Sequence, residues 1–206
     1  MKVLLAGQVD DTWRHELALA LPEATWLGPD APAAERAQAL AAVVANPPPG
    51  ALADALGLRL VQSLWAGVDR LLADPTLPPH LPIARMVDPA MNNAMAETAV
   101  WAVLSLHRGF FDYARQQQAG QWQALPQRRA DEVAVLVLGQ GEMGRTASAR
   151  LAALGYRVAG WRRGVPLAPL LAQAEVVLNL LPLTPETRGV LNAELFQQLP
   201  RGAALV

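Results

Sequence analysis

Apolar positions along the chain fall into short runs set off by polar, proline or glycine punctuation, and the clearest of them is Val133-Ala-Val-Leu-Val-Leu138. An unbroken, largely β-branched run of that length reads as a strand buried on both faces. The spacing then becomes helical, with Met143, Ala147, Leu151 and Leu154 on one face until Gly155, and residues 156–160 form a second short strand. Upstream, strands are expected at 2–6, 24–27, 41–45, 59–64 and 83–86. Helices are expected at 13–21 behind an Asp11-Thr12 cap, with Trp13, Leu17 and Ala20 inward, and at 33–40 and 52–56. Strands alternating with short helices imply a parallel sheet with helices on both faces. Residues 91–113 read as one long bridging helix with Ala94, Met95, Thr98, Trp101, Ala102, Ser105 and Leu106 as its packing face. Residues 121–129 read as a polar connector. Past Arg163 the pattern gives a short helix at 167–173, a strand at 175–181, a helix at 192–199 and a strand at 203–206.

Between the first strand and helix of the second half stand Gly139-Gln140-Gly141-Glu142-Met143-Gly144. A GxGxxG alone is a weak signal, but strand, glycine turn, helix and strand within about thirty residues is the context of a dinucleotide site. Gly139 allows the tight turn, Gly141 lets backbone approach a pyrophosphate, and Gly144 lets the helix pack close to the sheet. The helix start offers unpaired N–H groups and the positive end of its dipole. The second strand ends Gly160-Trp161-Arg162-Arg163, with no carboxylate for a ribose 2′-hydroxyl. A charge-assisted hydrogen bond is worth roughly 1.5–3 kcal/mol, so one of these arginines suffices to shift preference tenfold towards NADP over NAD. Solvated loop arginines are the bland alternative.

The functional rim of the first half lies beyond the carboxyl ends of its strands, and there Ser63-Leu-Trp65-Ala66-Gly67-Val68-Asp69 offers consecutive backbone amides suited to a carboxylate or phosphate. His15, His80 and His107 have no carboxylate at an orienting spacing and read as structural or solvated. Glu97 reads as a helix-start carboxylate, a cap as readily as a catalyst. Composition narrows the rest. The chain has 206 residues, a net charge of -1 and no cysteine. That length suits one or two domains, and near-neutral charge argues against nucleic acid or an anionic membrane as main partner. No thiolate nucleophile or cysteine metal site exists, no metal is expected, and no apolar stretch approaches the roughly eighteen residues of a membrane span. A cytoplasmic protein is the expectation.

AGVD after a strand, AETAV on a long helix, VLGQGEMG, the Trp-Arg-Arg strand end and NLLPLTPET…LPRGAALV together resemble the D-isomer-specific 2-hydroxyacid dehydrogenases, in particular the NADPH-preferring glyoxylate/hydroxypyruvate reductases. The resemblance implies a flavodoxin-like substrate domain over 1–95, a bridging helix and connector over 96–129, and the first half of a Rossmann cofactor domain over 130–206, in a sheet ordered 3-2-1-4-5-6 with strand 203–206 at an open edge. It implies that the amides of Trp65, Ala66, Gly67 and Val68 hold the carboxylate of a 2-oxo acid, and that Gln140, Glu142 and Met143 line the pyrophosphate turn with the glycines. Trp161, Arg162 and Arg163 match the adenosine-phosphate pocket, and Leu181, Pro182 and Thr187 the loop on the adenine side. The family's catalytic Arg, Glu and His match positions beyond Val206, so no residue here takes those roles, and the expectation is a fragment or truncated chain, inactive as it stands. The link over 164–174 is shorter than the family's. A homodimer through the cofactor domain is left open, as is a second reading, a non-catalytic dinucleotide-binding or interaction protein.

Overall fold

The computed structural model describes all 206 residues, which divide into two compact units, Met1–Val87 and Asp88–Val206. In the first, β1 (Lys2–Gly7), β2 (Thr25–Leu27), β3 (Ala41–Ala45), β4 (Leu60–Ser63) and β5 (Ile83–Ala84) form one parallel sheet in the order β2-β1-β3-β4-β5. That is the flavodoxin-like order, as expected. The period of two divides the strands between two cores: Leu4, Ala6, Ala42 and Val44 face one way, Val3, Leu5, Val43 and Ala45 the other. Each face needs a cover, and the runs are apolar at every position for that reason.

The helices here are α1 (Asp11–Ala20), α2 (Ala33–Arg36) and α3 (Asp69–Leu72). α1 is capped by Asp10, whose carboxylate accepts from Trp13 N at 2.9 Å, one residue before the expected cap. It buries no residue fully: Leu17 is half-buried, while Trp13 and Ala20 are exposed. The helix expected over 33–40 stops at Arg36 because the following chain lies against another segment. Gly57 N donates to Ala37 O and Leu40 N to Lys2 O, both at 3.0 Å, and a Cβ on Gly57 would sit 2.8 Å from Ala37 O. Residues 52–56 are turns, not a helix. Arg36 holds that segment, its guanidinium donating to both Asp54 carboxylate oxygens, to Ala51 O and to Pro29 O at 2.7–3.0 Å. Asp74, buried in the next loop, accepts from Gly50 N, Thr76 N and Thr76 Oγ1 at 2.7–2.9 Å. The Thr76 hydroxyl first, then the two amides, hold its carboxyl below the usual range.

The second unit begins with α4 (Pro89–His107), capped by Asp88 through Ala90 N and Met91 N. The single long helix expected here breaks at Gly109, whose φ of 67° is left-handed, and restarts as α5 (Phe110–Gln118). Leu125 Cδ1 would lie 2.9 Å from a Cβ on Gly109, so the connector packs closely against the break and favours glycine there. The buried face of α4 also differs from expectation: Asn92, Ala96, Ala99, Val103 and Ser105 are inside, whereas Ala94, Met95, Thr98, Trp101 and Leu106 are exposed. The small residues meet Ala147 and Leu151, which lie on the helix Glu142–Ala153, and allow close approach. Glu97, in the third turn and exposed, caps nothing.

β6 (Ala134–Leu138), β7 (Arg157–Trp161), β8 (Val176–Asn179) and β9 (Ala204–Leu205) form a parallel sheet, with α6 (Glu142–Ala153), α7 (Ala168–Leu171) and α8 (Ala193–Gln197) between successive strands. Its order is β7-β6-β8-β9. The third strand in chain order therefore pairs with the first, Val135 opposite Val176, instead of lying outside the second as in a 3-2-1-4-5-6 sheet. The burial of each strand gives the reason. Val176, Val177 and Leu178 are all buried and need neighbours on both sides, whereas β7 exposes Arg157 and Gly160 and suits an edge. β9 lies at the other edge.

Candidate functional site

The glycine turn is built by three different constraints. Gly139 has φ 96°, and a Cβ on it would sit 2.7 Å from Leu180 O, so the end of β6 is pressed against the end of β8. On its other flank Gly139 N donates to Trp161 O at 3.0 Å. A Cβ on Gly144 would come within 1.8 Å of Gly139 O, an approach that only glycine permits and that draws the start of α6 onto the turn. Gly141 differs: it is exposed, nothing lies within 4 Å of where its side chain would be, and no side chain caps the helix it begins. The open space and the free amides of the first turn coincide, and together they fit an anion approaching backbone to backbone.

Around this turn the side chains are committed in different ways. Gln140 folds over Gly160, where a Cβ would meet its Cδ at 2.4 Å, and its Nε2 donates to Val137 O at 3.3 Å. Only its backbone therefore faces the turn. Glu142 pairs with Arg145, whose Nη1 also donates to Gln140 O at 3.1 Å. Met143 is half-buried. Trp161 packs partly into the core and donates from Nε1 to Val165 O at 2.7 Å. Arg162 and Arg163 are exposed at the carboxyl end of β7. Arg163 lies 3.9 Å from Glu186 in the loop after β8, and Arg162 has no carboxylate partner. In that loop Leu181 packs on the core and Pro182 is exposed. Thr187 Oγ1 donates to Pro182 O at 2.5 Å and accepts from Thr184 N at 2.8 Å. The Glu186 carboxyl is held below its usual range by the Thr184 hydroxyl first, with its own backbone and Arg163 adding to the effect.

In the first unit the loop after β4 is anchored by Ser63, a buried hydroxyl that accepts from Trp65 N and donates to Trp65 O, both at 3.0 Å. The amide of Trp65 is thus already occupied. Those of Ala66, Gly67 and Val68 donate to no protein acceptor, and Met86 N reaches Trp65 O at 3.3 Å to fix the loop against the strand beside it. Exposed Trp65 and Gly67 border these amides. Ser63 stands in the segment that the sequence singles out, but its task as the anchor of the Trp65 backbone shows only in the fold, the available signal being a serine at the end of a strand.

None of the three histidines sits at either rim as an acid or base. His15 and His80 are exposed. His107 lies 2.8 Å from the Tyr156 hydroxyl through Nδ1 and 2.9 Å from Arg128 O through Nε2. A carbonyl can only accept, so Nε2 carries the proton and Nδ1 accepts from Tyr156, whose hydroxyl pKa is raised by burial. A cavity of about 810 Å³ between α5 and the connector is lined by Phe110, Tyr113, Gln117 and Trp122 among others and carries no charged side chain. Its one hydroxyl, that of Tyr113, already accepts from Leu125 N at 3.0 Å, and the cavity is not the candidate site. No helix is long and apolar enough to cross a membrane.

The chain is similar to known proteins along its whole length. Residues 100–206 match the family model described as D-isomer specific 2-hydroxyacid dehydrogenase, NAD binding domain. A solved D-isomer specific 2-hydroxyacid dehydrogenase from Xanthobacter autotrophicus Py2, in complex with NADPH and MES, is 35% identical with a TM-score of 0.90, over 99% of this chain and 70% of that one. The NADPH-dependent glyoxylate/hydroxypyruvate reductase of Sinorhizobium meliloti, in complex with NADP and sulfate, is 31% identical with a TM-score of 0.84, over 97% and 68%. A probable 2-hydroxyacid dehydrogenase from Rhizobium etli CFN 42, in complex with NADP, HEPES and L(+)-tartaric acid, is 29% identical with a TM-score of 0.85, over 98% and 68%.

Proposed function

The chain belongs to the D-isomer specific 2-hydroxyacid dehydrogenases, and from that premise we propose that it serves the NADPH-dependent reduction of a small 2-oxo acid, glyoxylate or hydroxypyruvate, to the 2-hydroxy acid. The observation that carries this reading is the uncapped start of α6 at an open Gly141, beside a strand end that bears two arginines and no carboxylate. Bound NADPH supplies the hydride. The protein's own contribution is to hold the reactants. The amides at the α6 start grip the pyrophosphate, and Gly139 and Gly144 keep that start close to the sheet. Arg162 and Arg163 receive the 2′-phosphate, a planar fork meeting a dianion. In the first unit the amides of Ala66, Gly67 and Val68 hold the substrate carboxylate, with Trp65 beside them and its own amide spent on Ser63.

Isothermal titration with NADPH and NADH tests the cofactor half. Wild type is expected to bind NADPH at least about tenfold more tightly, one charge-assisted contact being worth that much. Arg162→Ala/Arg163→Ala together should erase the difference while leaving NADH affinity within about twofold. Equal affinity of the wild type for both dinucleotides would contradict the reading.

A further inference from the structure

The two loops that flank the glycine turn are joined by an ion pair. Arg163 lies two residues past β7 and Glu186 lies in the loop past β8, and their Nη2 and Oε2 atoms are 3.9 Å apart. β6 runs between those two strands. Gly139, the residue that follows it, touches both flanks, donating to Trp161 O and abutting Leu180 O. Two strand spacings are about 10 Å, which an extended arginine and a glutamate can bridge, so the link spans the end of β6 where the turn begins.

Glu186 is placed for this by its own loop. Thr184 Oγ1 donates to Glu186 Oε2 at 2.7 Å, and Thr184 is itself fixed, its amide donating to Thr187 Oγ1 at 2.8 Å. Both partners of the pair are mostly exposed, at 78% and 62% of the side-chain surface. An exposed pair contributes little to folding, so its value lies in where it leaves the guanidinium. It is also readily exchanged for a stronger anion.

We propose that Glu186 is a cofactor-specificity residue: it occupies Arg163 beside the turn in the absence of a 2′-phosphate, competes with that phosphate for the guanidinium, and so narrows the preference for NADPH over NADH. The proposal rests on the NADPH reading above. A phosphomonoester carries about -1.5 to -2 charges at neutral pH, so a nearby carboxylate both withholds the cation and repels the ligand. A ligand without the 2′-phosphate meets neither effect.

Titration calorimetry with adenosine 2′,5′-bisphosphate and with 5′-AMP tests it, using wild type, Glu186→Gln, Arg163→Ala and the double variant of the 206-residue chain. Glu186→Gln is expected to tighten the bisphosphate about fivefold, the strength of a good exposed pair, and to leave 5′-AMP unchanged. That gain should shrink in the Arg163→Ala background. If Glu186→Gln leaves bisphosphate affinity unchanged or weakens it while Arg163→Ala still weakens it relative to 5′-AMP, the role of Glu186 is overturned and the NADPH reading stands. If Arg163→Ala fails to discriminate the two ligands, the phosphate pocket itself is misplaced and the proposal falls with it.

Discussion

The two units solve one problem in the same way up to a point, and then diverge. In each sheet the first strand lies between the second and third and leads into a turn at a left-handed glycine, Gly7 at φ 81° as the last residue of β1 and Gly139 at φ 96° just past β6. Each glycine is pressed on the end of the third strand: a Cβ would sit 2.2 Å from Ala45 O in one case and 2.7 Å from Leu180 O in the other. The helix starts beyond them differ. After Gly7 the chain reaches Asp10, whose carboxylate caps α1 and takes up an amide there. After Gly139 it reaches Gly141, which has no side chain to offer, and α6 begins uncapped. The strand crossover alone therefore does not make an anion site. An anion site at this place requires that the protein leave the helix start open, and the first unit fills its own.

The largest effect should come from Gly144→Ala. Its Cβ would lie 1.8 Å from Gly139 O, backbone that cannot move without parting α6 from the sheet. Loss of about 3 kcal/mol or more from the second unit is expected, with NADPH binding abolished, read by urea unfolding and titration calorimetry. An unchanged unfolding midpoint would show that α6 does not depend on this close approach.

Asp74→Asn should be next, because it sets the carboxamide NH₂ or a weaker acceptor against the Gly50 and Thr76 donors in a buried place. About 1–3 kcal/mol should be lost near pH 7, from the first unit only. The sign with pH comes from the lowered carboxyl pKa. The wild-type advantage is present above the unfolded-state value of about 3.9 and disappears as pH falls through the lower folded-state value. Thermal unfolding of both proteins between pH 7 and pH 2.5 checks this, and a gap that widened in acid would refute it.

Exchanging the two helix starts sharpens the comparison most directly and has the smallest effect on folding. Gly141→Asp enters open space, so stability should change by only a few tenths of a kcal/mol, while NADPH affinity falls at least about tenfold because the new carboxylate takes the amides. Asp10→Ala, the converse, should cost the first unit about 1 kcal/mol and leave NADPH binding alone. Calorimetric scans and dinucleotide titrations of the pair distinguish capping from ligand binding.

Much of this was legible in the chain. Val133 to Leu138 had to be a doubly covered strand, and the three glycines after it had to serve a turn, since neither pattern suits solvent-facing structure. Both parallel sheets, the alternation of strand and helix and the family were readable for the same reason, as local periods and short ordered motifs survive in one dimension. The existence of helix α4 was legible too, but its buried face was not, because apolar residues surround it and only contact with α6 selects Ala96, Ala99 and Val103 over Met95 and Trp101. Likewise, the short segments at 37–40 and 50–57 carry helical spacing but lie against each other and against Arg36, which overrides it.

By itself, then, the sequence determined the strands, the glycine turn and the chemistry that the Arg162-Arg163 strand end can offer, because each depends on a residue and its near neighbours. Only the tertiary structure decided that β8 sits beside β6, that Ser63 consumes the Trp65 amide, that Gln140 turns its side chain away over Gly160, and that Arg163 reaches Glu186. Those four facts depend on which distant segments meet, and strand pairing, hydroxyl direction and ion-pair choice are fixed by competition among long-range contacts that no local pattern records.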